Sequence, residues 1–364
     1  QARCVDARAV RGGARQGRRA EAADPRAREH PGRAQPPAHA ARCKPPAAAV
    51  AAGAVRQHAP EVGLGLVVLF MSLDQLHGAA VGRVAVAFVV VGVLHRRVVR
   101  YQQLVGIYSA GDCWRGFDTN LPIFPTFLPD EYKSTAIGKW HLGLDDDFPE
   151  LKWHAINRGF TECYKFMGRG GHDYFKLQGV KSNDYAPIYL NKKRLTDNEY
   201  KGYMTTRLTE EAVDFIDRKK ADPFFLYLAY NAVHAPAQAP KEDIERYKKK
   251  FPKISEKRAT LMAMLYHLDL GVGAVVKKLK DENLWENTLV FFLTDNGGSK
   301  AMEANNGSLR GYKGSLYEGG IRTPWITSWP KKFKGGRTIS TPINSIDILP
   351  VSYTHLTLPT NREV

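Results

Sequence analysis

Residues 289–298 read LVFFLTDNGG: five apolar residues, a threonine, then Asp295, Asn296 and two glycines. A continuous apolar run of this length, with no polar residue to turn toward water, fits a strand buried on both faces. Residues 224–229 (FFLYLA) follow Pro223 with the same pattern and run on toward Asn231 and His234. Between them, Leu261, Met264, Leu265, Leu268, Val272, Val275, Val276 and Leu279 recur mostly at three- and four-residue steps. That is one apolar face of a long helix, with Ser255 placed to cap it. Leu208, Ala212, Phe215 and Ile216 mark an earlier helix that stops near Pro223. Buried strands alternating with helices predict an α/β fold, a mostly parallel sheet with helices on both faces. Ligands of such sheets sit beyond the carboxyl ends of the strands.

Four segments bring charged or metal-binding groups to such positions. Residues 135–143 (TAIGKWHLG) carry Lys139 and His141, two apart, which on an extended segment point the same way. The alternative is a solvated lysine and a tryptophan-packed histidine. Residues 223–240 (PFFLYLAYNAVHAPAQAP) place His234 in a loop stiffened by Pro236 and Pro240, as a site residue or an ordinary loop histidine. Residues 289–298 present Asp295 and Asn296, oxygen ligands of the kind hard cations take, or else an Asn-Gly turn. Residues 309–324 (LRGYKGSLYEGGIRTP) set Arg310, Lys313 and Arg322 among glycines with Glu318 nearby, an oxyanion site or a flexible surface loop.

The net charge of +16 invites a nucleic-acid reading, but its distribution argues against one. Residues 1–100 hold 16 basic against 6 acidic residues, and 101–364 hold 37 against 31. Residues 1–60 are almost entirely Ala, Arg, Pro, Gly, Val and His, without Phe, Tyr, Trp, Ile, Leu or Asn, a composition that builds no core. The abrupt change near Tyr101 suggests either a mis-translated or mis-joined segment or a genuine Arg-rich tail. The apolar runs 62–71 and 84–94 are 10 and 11 residues long, short of the roughly 20 a membrane span needs. The start lacks the order of a signal peptide, so it gives no location. Residues 351–364 (VSYTHLTLPTNREV) break the apolar helical pattern begun at 345–350 and read as a non-native tail. The four cysteines, Cys4, Cys43, Cys113 and Cys163, form no CxxC pair and give no zinc site. Cys113 and Cys163 are either a disulfide or two buried thiols.

In order and spacing, GKWHLG, a strand with His-x-Pro, TDNGG and GxKGxxYEGGxRxP resemble the sulfatase family, arylsulfatase-like members of the alkaline phosphatase superfamily. The resemblance spans residues 100–350, and residues 157–160 (NRGF), 170–174 (GGHDY) and 345–350 (SIDILP, with Asp347) fit it as well. It implies a hydrolase of sulfate esters acting on a sulfated carbohydrate or aryl sulfate, with a divalent cation, usually Ca²⁺. It implies Asp295 and Asn296 as metal ligands and Lys139 and Lys313 on the sulfate oxygens. His141 would contact the aldehyde hydrate and help eject the sulfate from it, and His234 would protonate the leaving oxygen, alone or with Lys313. Residues 171–174 would line the sugar subsite. No nucleic acid and no membrane span are expected, and the family implies a periplasmic or secreted location.

The sequence departs from the family at the nucleophile. Sulfatases use a formylglycine made by a formylglycine-generating enzyme from the Cys of Cys-x-Pro/Ala-x-Arg, some 12 residues before a Thr-Gly-Arg-Tyr segment. Residues 100–103 (RYQQ) resemble that segment, yet the expected cysteine position falls near Val89, inside FVVV, and no such motif occurs in the chain. Residues 66–78 (LVVLFMSLDQLHG) resemble the family's first strand and acidic pair, with Leu73 in place of one Asp and Asp74 as the other. They lie close to Val89 for that topology. The expected organisation is therefore 1–99 disordered or mis-translated, 100–350 a partial catalytic domain truncated at both ends, and 351–364 a foreign tail. The chain itself is expected to be inactive. A phosphodiesterase or phosphonate hydrolase of the same superfamily and a glycan-binding pseudoenzyme are the competing readings.

Overall fold

The computed structural model describes residues 65–71, 116–143, 150–166, 171–178, 186–343 and 345–348. The chain divides into residues 1–57 and 58–364, and the described residues all lie in the second unit. The readings of residues 1–60, 84–94 and 100–103, of Cys113 and of the 351–364 tail fall outside the described residues.

The strands are β1 (Gly65–Met71), β2 (Lys133–Lys139), β3 (Glu162–Phe166), β4 (Ile188–Leu190), β5 (Lys193–Arg194), β6 (Phe224–Tyr230), β7 (Thr288–Thr294) and β8 (Trp325–Ser328). They form one sheet in the order β5-β4-β3-β2-β6-β1-β7-β8. The run β3-β2-β6-β1-β7 is parallel, and β4, β5 and β8 close the two sides antiparallel. The helices are α1 (Met204–Lys219), α2 (Lys241–Lys250), α3 (Glu256–Asp281) and the short α4 (Glu318–Ile321).

The central strands follow from composition. Every residue of β6 and of β7 is buried, and burying one large apolar side chain contributes roughly 1.5–3 kcal/mol. Neighbouring residues of β6 face opposite sides. Phe224 meets Phe215 of α1 at a ring distance of 6.0 Å, while Phe225 stacks on Phe124 at 4.6 Å and on Phe160 at 5.8 Å. Helix α1 therefore covers one face, with Leu208, Ala212, Phe215 and Ile216 inward as the spacing predicts. On the other face the described cover is not a long helix but the short 3-10 segment Phe124–Phe127 and Phe160. Helix α3 starts at Ser255, whose side chain accepts from Arg258 N, a cap worth about 1 kcal/mol. It is long and apolar enough to cross a bilayer, yet Leu261, Met264, Leu268, Val275 and Leu279 are buried where it packs on α1 and α2.

One boundary changes. Residues 65–71, which the compositional reading left outside the catalytic domain, are β1, the strand between β6 and β7. The physical reason is in the seven residues themselves: GLVVLFM contains no polar side chain, so it suits a strand paired on both edges. Its Ala- and Arg-rich surroundings masked that signal.

Candidate active site

The sheet register builds the site. Gly138 of β2 pairs with Ala229 of β6, Ala229 with Phe70 of β1, and Phe70 with Leu293 of β7. The chains therefore leave the sheet side by side, after Lys139, Tyr230, Met71 and Thr294. Three inter-strand steps of about 4.8 Å put β2 about 14 Å from β7, the width of a ligand cleft. This edge receives Lys139 and His141 from β2, His234 from the loop after β6, and Asp295 and Asn296 from the end of β7.

Gly138 lets β2 approach: at φ +97°, its Cβ would lie 2.0 Å from the Ala229 carbonyl oxygen. Beyond it β2 ends at Lys139, and His141 has φ 55°, in the left-handed region that few non-glycine residues occupy. The extended 139–141 segment expected from the sequence is thus a turn, but His141 still lies within the electrostatic reach of Lys139. Trp140 anchors that turn from the core side, donating from Nε1 to Trp153 O at 2.7 Å.

Lys313 arrives from a different direction. The 309–320 loop folds against the glycines after Asn296: Lys313 N donates to Gly298 O at 3.0 Å, and Gly297 N to Gly320 O at 3.0 Å. Asn306 ties the two together, accepting from Gly298 N at 2.9 Å and donating to Gly311 O at 2.9 Å. Arg310 and Arg322, offered by the sequence as partners of Lys313, are occupied elsewhere. Arg310 stacks on Tyr317 at 3.8 Å and Arg322 pairs with Glu318 at 3.0 Å.

The same groups are linked electrostatically. His141 is pushed down to about 3, first by burial, then by Lys139, His234 and Lys313. His234 is pushed down to about 4, first by burial, then by Lys139 and Lys313, against a hydrogen bond to Ala235. Ala235 O can only accept, so His234 Nδ1 donates to it at 2.8 Å and Nε2 is the atom left for chemistry. Two imidazoles and two ammonium groups thus share one field, an arrangement that favours an anion between them.

Two buried polar atoms at the strand ends, His141 Nε2 and Asn296 Oδ1, have no hydrogen-bond partner. Each such atom costs about 1–3 kcal/mol unless something fills its place. An unpartnered carboxamide oxygen next to the Asp295 carboxylate fits a hard cation, which takes oxygen ligands. Among the described residues no group of three or more His, Cys, Asp or Glu is arranged for a metal. Asp295 and Asn296 alone would not complete such a ligand set. Asp74, three residues past β1, lies outside the described residues.

The GGHDY residues are not where the resemblance put them. Residues 171–174 are buried, His172 and Tyr174 at 0% exposure, so they present no surface to line a sugar subsite. Arg158 of NRGF is likewise structural, donating to Thr119 O and Leu121 O at 2.6 Å each. Sequence reasoning missed Asn231 and Gln238. Asn231 Oδ1 is a third buried atom without a partner, at the end of β6. Its one signal is an amide that terminates an apolar run, and Gln238's is a lone polar residue between Pro236 and Pro240.

The sulfatase family model matches residues 98–358. The chain is 32% identical over 273 residues to the uncharacterized sulfatase YdeN of Escherichia coli (strain K12), covering 68% of this chain and 45% of that protein. It is 30% identical over 243 residues to the N-acetylgalactosamine-6-sulfatase of Canis lupus familiaris, covering 63% and 44%. It thus spans less than half the length of these curated relatives. Among solved structures, that of Ps i-CgsB is similar at 29% identity and a TM-score of 0.64, over 81% of this chain and 72% of that one. The strand-end cluster, the interlocked glycine loops and a match over most of the sequence agree: this chain belongs to the sulfatase family.

Proposed function

We propose that this chain binds the sulfate group of a sulfated carbohydrate between Lys139 and Lys313, as part of an active site that in an intact sulfatase hydrolyses sulfate esters. The observation that carries this reading is the meeting of Lys139, His141, His234 and the Lys313 loop at the ends of neighbouring strands, where they share one electrostatic field. Support for a sugar comes from the relative Ps i-CgsB, whose structure at 27% identity and a TM-score of 0.62 is in complex with k-i-k-neocarrahexaose. The name of the canine relative, N-acetylgalactosamine-6-sulfatase, points the same way.

Each residue has a physical task. The ammonium groups of Lys139 and Lys313 offset the charge that gathers on the sulfate oxygens as the ester bond breaks. His141 Nε2, buried and without a partner, faces a group the ligand supplies. His234 holds its proton at Nε2 for the leaving oxygen, a step typically worth about 10² to 10⁴ in rate. Without substrate His234 is neutral at pH 7, held down first by burial and then by Lys139 and Lys313. A seated sulfate ester offsets the lysine part of that shift and raises the pKa, which favours the protonated acid when substrate is present. A divalent cation held by Asp295 and Asn296, calcium by family resemblance, would add further charge neutralisation.

Formylglycine is not accommodated by the residues present. The described cysteine, Cys163, is buried in β3 with Sγ 3.6 Å from Asn191 O, and no Cys-x-Pro/Ala-x-Arg occurs in the sequence. Losing a covalent nucleophile costs on the order of 10⁶ in kcat in other hydrolases. Binding without turnover is therefore expected of this chain, and a formylglycine-generating enzyme would have no cysteine motif to mature here.

Calorimetric titration of the full chain with sodium sulfate tests the reading. One saturable site is expected, weakened at least about ten-fold by Lys139→Ala or Lys313→Ala, since one charge-assisted contact contributes about 1.5–3 kcal/mol. Affinity indifferent to both substitutions would sink the assignment. A clear preference for phosphate would move it to phosphate esters.

A further inference from the structure

The GHDY segment, buried and excluded from the pocket, makes a set of contacts that the binding reading does not use. The His234 loop is irregular, and its internal bonds are local: His234 N donates to Asn231 O at 2.8 Å and the ring to Ala235 O. What ties it to the rest of the domain, among the described residues, comes from residues 172–174 and Tyr203. Tyr174 Oη donates to the His234 carbonyl at 2.9 Å. Gln238 accepts from Tyr174 N at 2.8 Å and donates from Nε2 to Asp173 Oδ2 at 2.7 Å. Asp173 is itself fixed, its Oδ1 accepting from Phe175 N and Lys176 N at 2.8 Å each. Tyr203 Oη donates to Gln238 O at 3.0 Å, and its ring stacks on Tyr174 at 5.5 Å. Asn231 Nδ2 donates to His172 O at 2.9 Å, which joins the segment to the end of β6.

We propose that Asp173, Tyr174 and Gln238 are positioning residues, a buried clamp that sets the His234 peptide so that the imidazole delivers Nε2 to the anion pocket. The assignment of that pocket to sulfate rests on the function proposed above; the clamp itself rests on the bonds just described. The chemistry is one of orientation. Free imidazole favours the Nε2–H tautomer, whereas His234 donates from Nδ1 to Ala235 O. That choice depends on where the 234–236 backbone points. Tyr174 holds the His234 carbonyl, and Gln238, fixed by Asp173 and Tyr203, holds the far side of the loop. A misplacement of about 1 Å at such a group can cost on the order of 100-fold in rate.

A polarity swap tests this in the full chain. Asp173→Asn sets an amide donor against the Gln238 amide donor. Adding Gln238→Glu restores a donor–acceptor pair of reversed sense and keeps an oxygen for Tyr174 N. The readouts are the ring-nitrogen NMR shifts of His234, which report its tautomer, and the rise in its pKa on saturation with inorganic sulfate. The Nδ1–H form should dominate in the parent chain. Asp173→Asn should shift the ratio at least about five-fold toward Nε2–H and at least halve the sulfate-induced rise, and the double variant should recover both. A folded Asp173→Asn with the parent tautomer, or a folded double variant without recovery, overturns the proposal. Should neither fold, Tyr174→Phe removes a single hydroxyl, and an unchanged tautomer there also overturns it. If the parent chain binds no sulfate, the function proposed above fails, while the tautomer still judges the clamp.

Discussion

Gly297→Ala is the sharpest perturbation this fold offers, because it separates the loop after Asn296 from the loop that carries Lys313. A Cβ on Gly297 would lie 1.7 Å from Gly319 O and 2.7 Å from Gly319 C, both backbone atoms of the facing loop. An ordinary carbon–oxygen contact needs more than 3 Å, so one loop must retreat by more than an ångström. The Gly297 N–Gly320 O and Lys313 N–Gly298 O hydrogen bonds, each 3.0 Å, span that junction. At a net 0.5–1.5 kcal/mol apiece, losing both lowers stability by roughly 1–3 kcal/mol. The larger effect is on the site, since Lys313 rides on the displaced loop, and a shift of about 1 Å weakens a positioned contact by one to two orders of magnitude. Sulfate titration should therefore show about 10- to 100-fold weaker binding, with urea unfolding confirming a native domain. Gly273→Ala is the control, because its Cβ meets nothing within 4 Å. Parent-like sulfate affinity in folded Gly297→Ala would refute the interlocked-loop account.

Gly273→Ala itself, inside α3, should stabilise the domain by about 0.5–1 kcal/mol in urea unfolding, the ordinary gain of alanine over glycine within a helix. Arg158→Ala, which strips two 2.6 Å bonds from the Thr119 and Leu121 carbonyls, should cost on the order of 3 kcal/mol in the same assay. Acid should destabilise the fold through His154, fully buried and pushed down to about 3 chiefly by burial and then by Lys165 and Lys192. Above pH about 6.5 its ring is neutral in both states. Below that the unfolded chain takes the proton first, so stability falls by about 1.4 kcal/mol per pH unit until the native ring titrates. His154→Phe should make the measured stability slope between pH 6 and 4 shallower by that amount. Sulfate affinity should stay flat above the His234 pKa of the complex and rise as pH falls below it toward about 4, because binding in that window draws in a proton. Affinity that does not change with pH in the full chain would separate His234 from the anion.

The parallel core was legible in the sequence because burial on both faces leaves no room for polar residues. The runs at 224–229 and 289–293 became β6 and β7 with one residue added at an end or at each end. The α3 face and its Ser255 cap were readable for the same reason. What was not legible depends on long-range contact. β1 read as an apolar run resembling the family's first strand, but its place between β6 and β7 shows only in the pairing. The antiparallel edges β4 and β5 are three and two residues long, too short for any period to show. Arg310 and Arg322 looked like anion ligands because one-dimensional spacing cannot show that Tyr317 and Glu318 engage them. Asp173 and Gln238 lie 65 residues apart, so their bond has no local signature.

The central claim, that the strand-end cations form a sulfate site, is tested most directly by anomalous diffraction from crystals of the full chain soaked in sodium selenate, a sulfate mimic. The account predicts a selenium peak between the Lys139 and Lys313 ammonium groups, within hydrogen-bond reach of His234 Nε2, and its loss in Lys139→Ala. A peak only at surface arginines such as Arg310 or Arg322, with no density between the two lysines at saturating selenate, would contradict it.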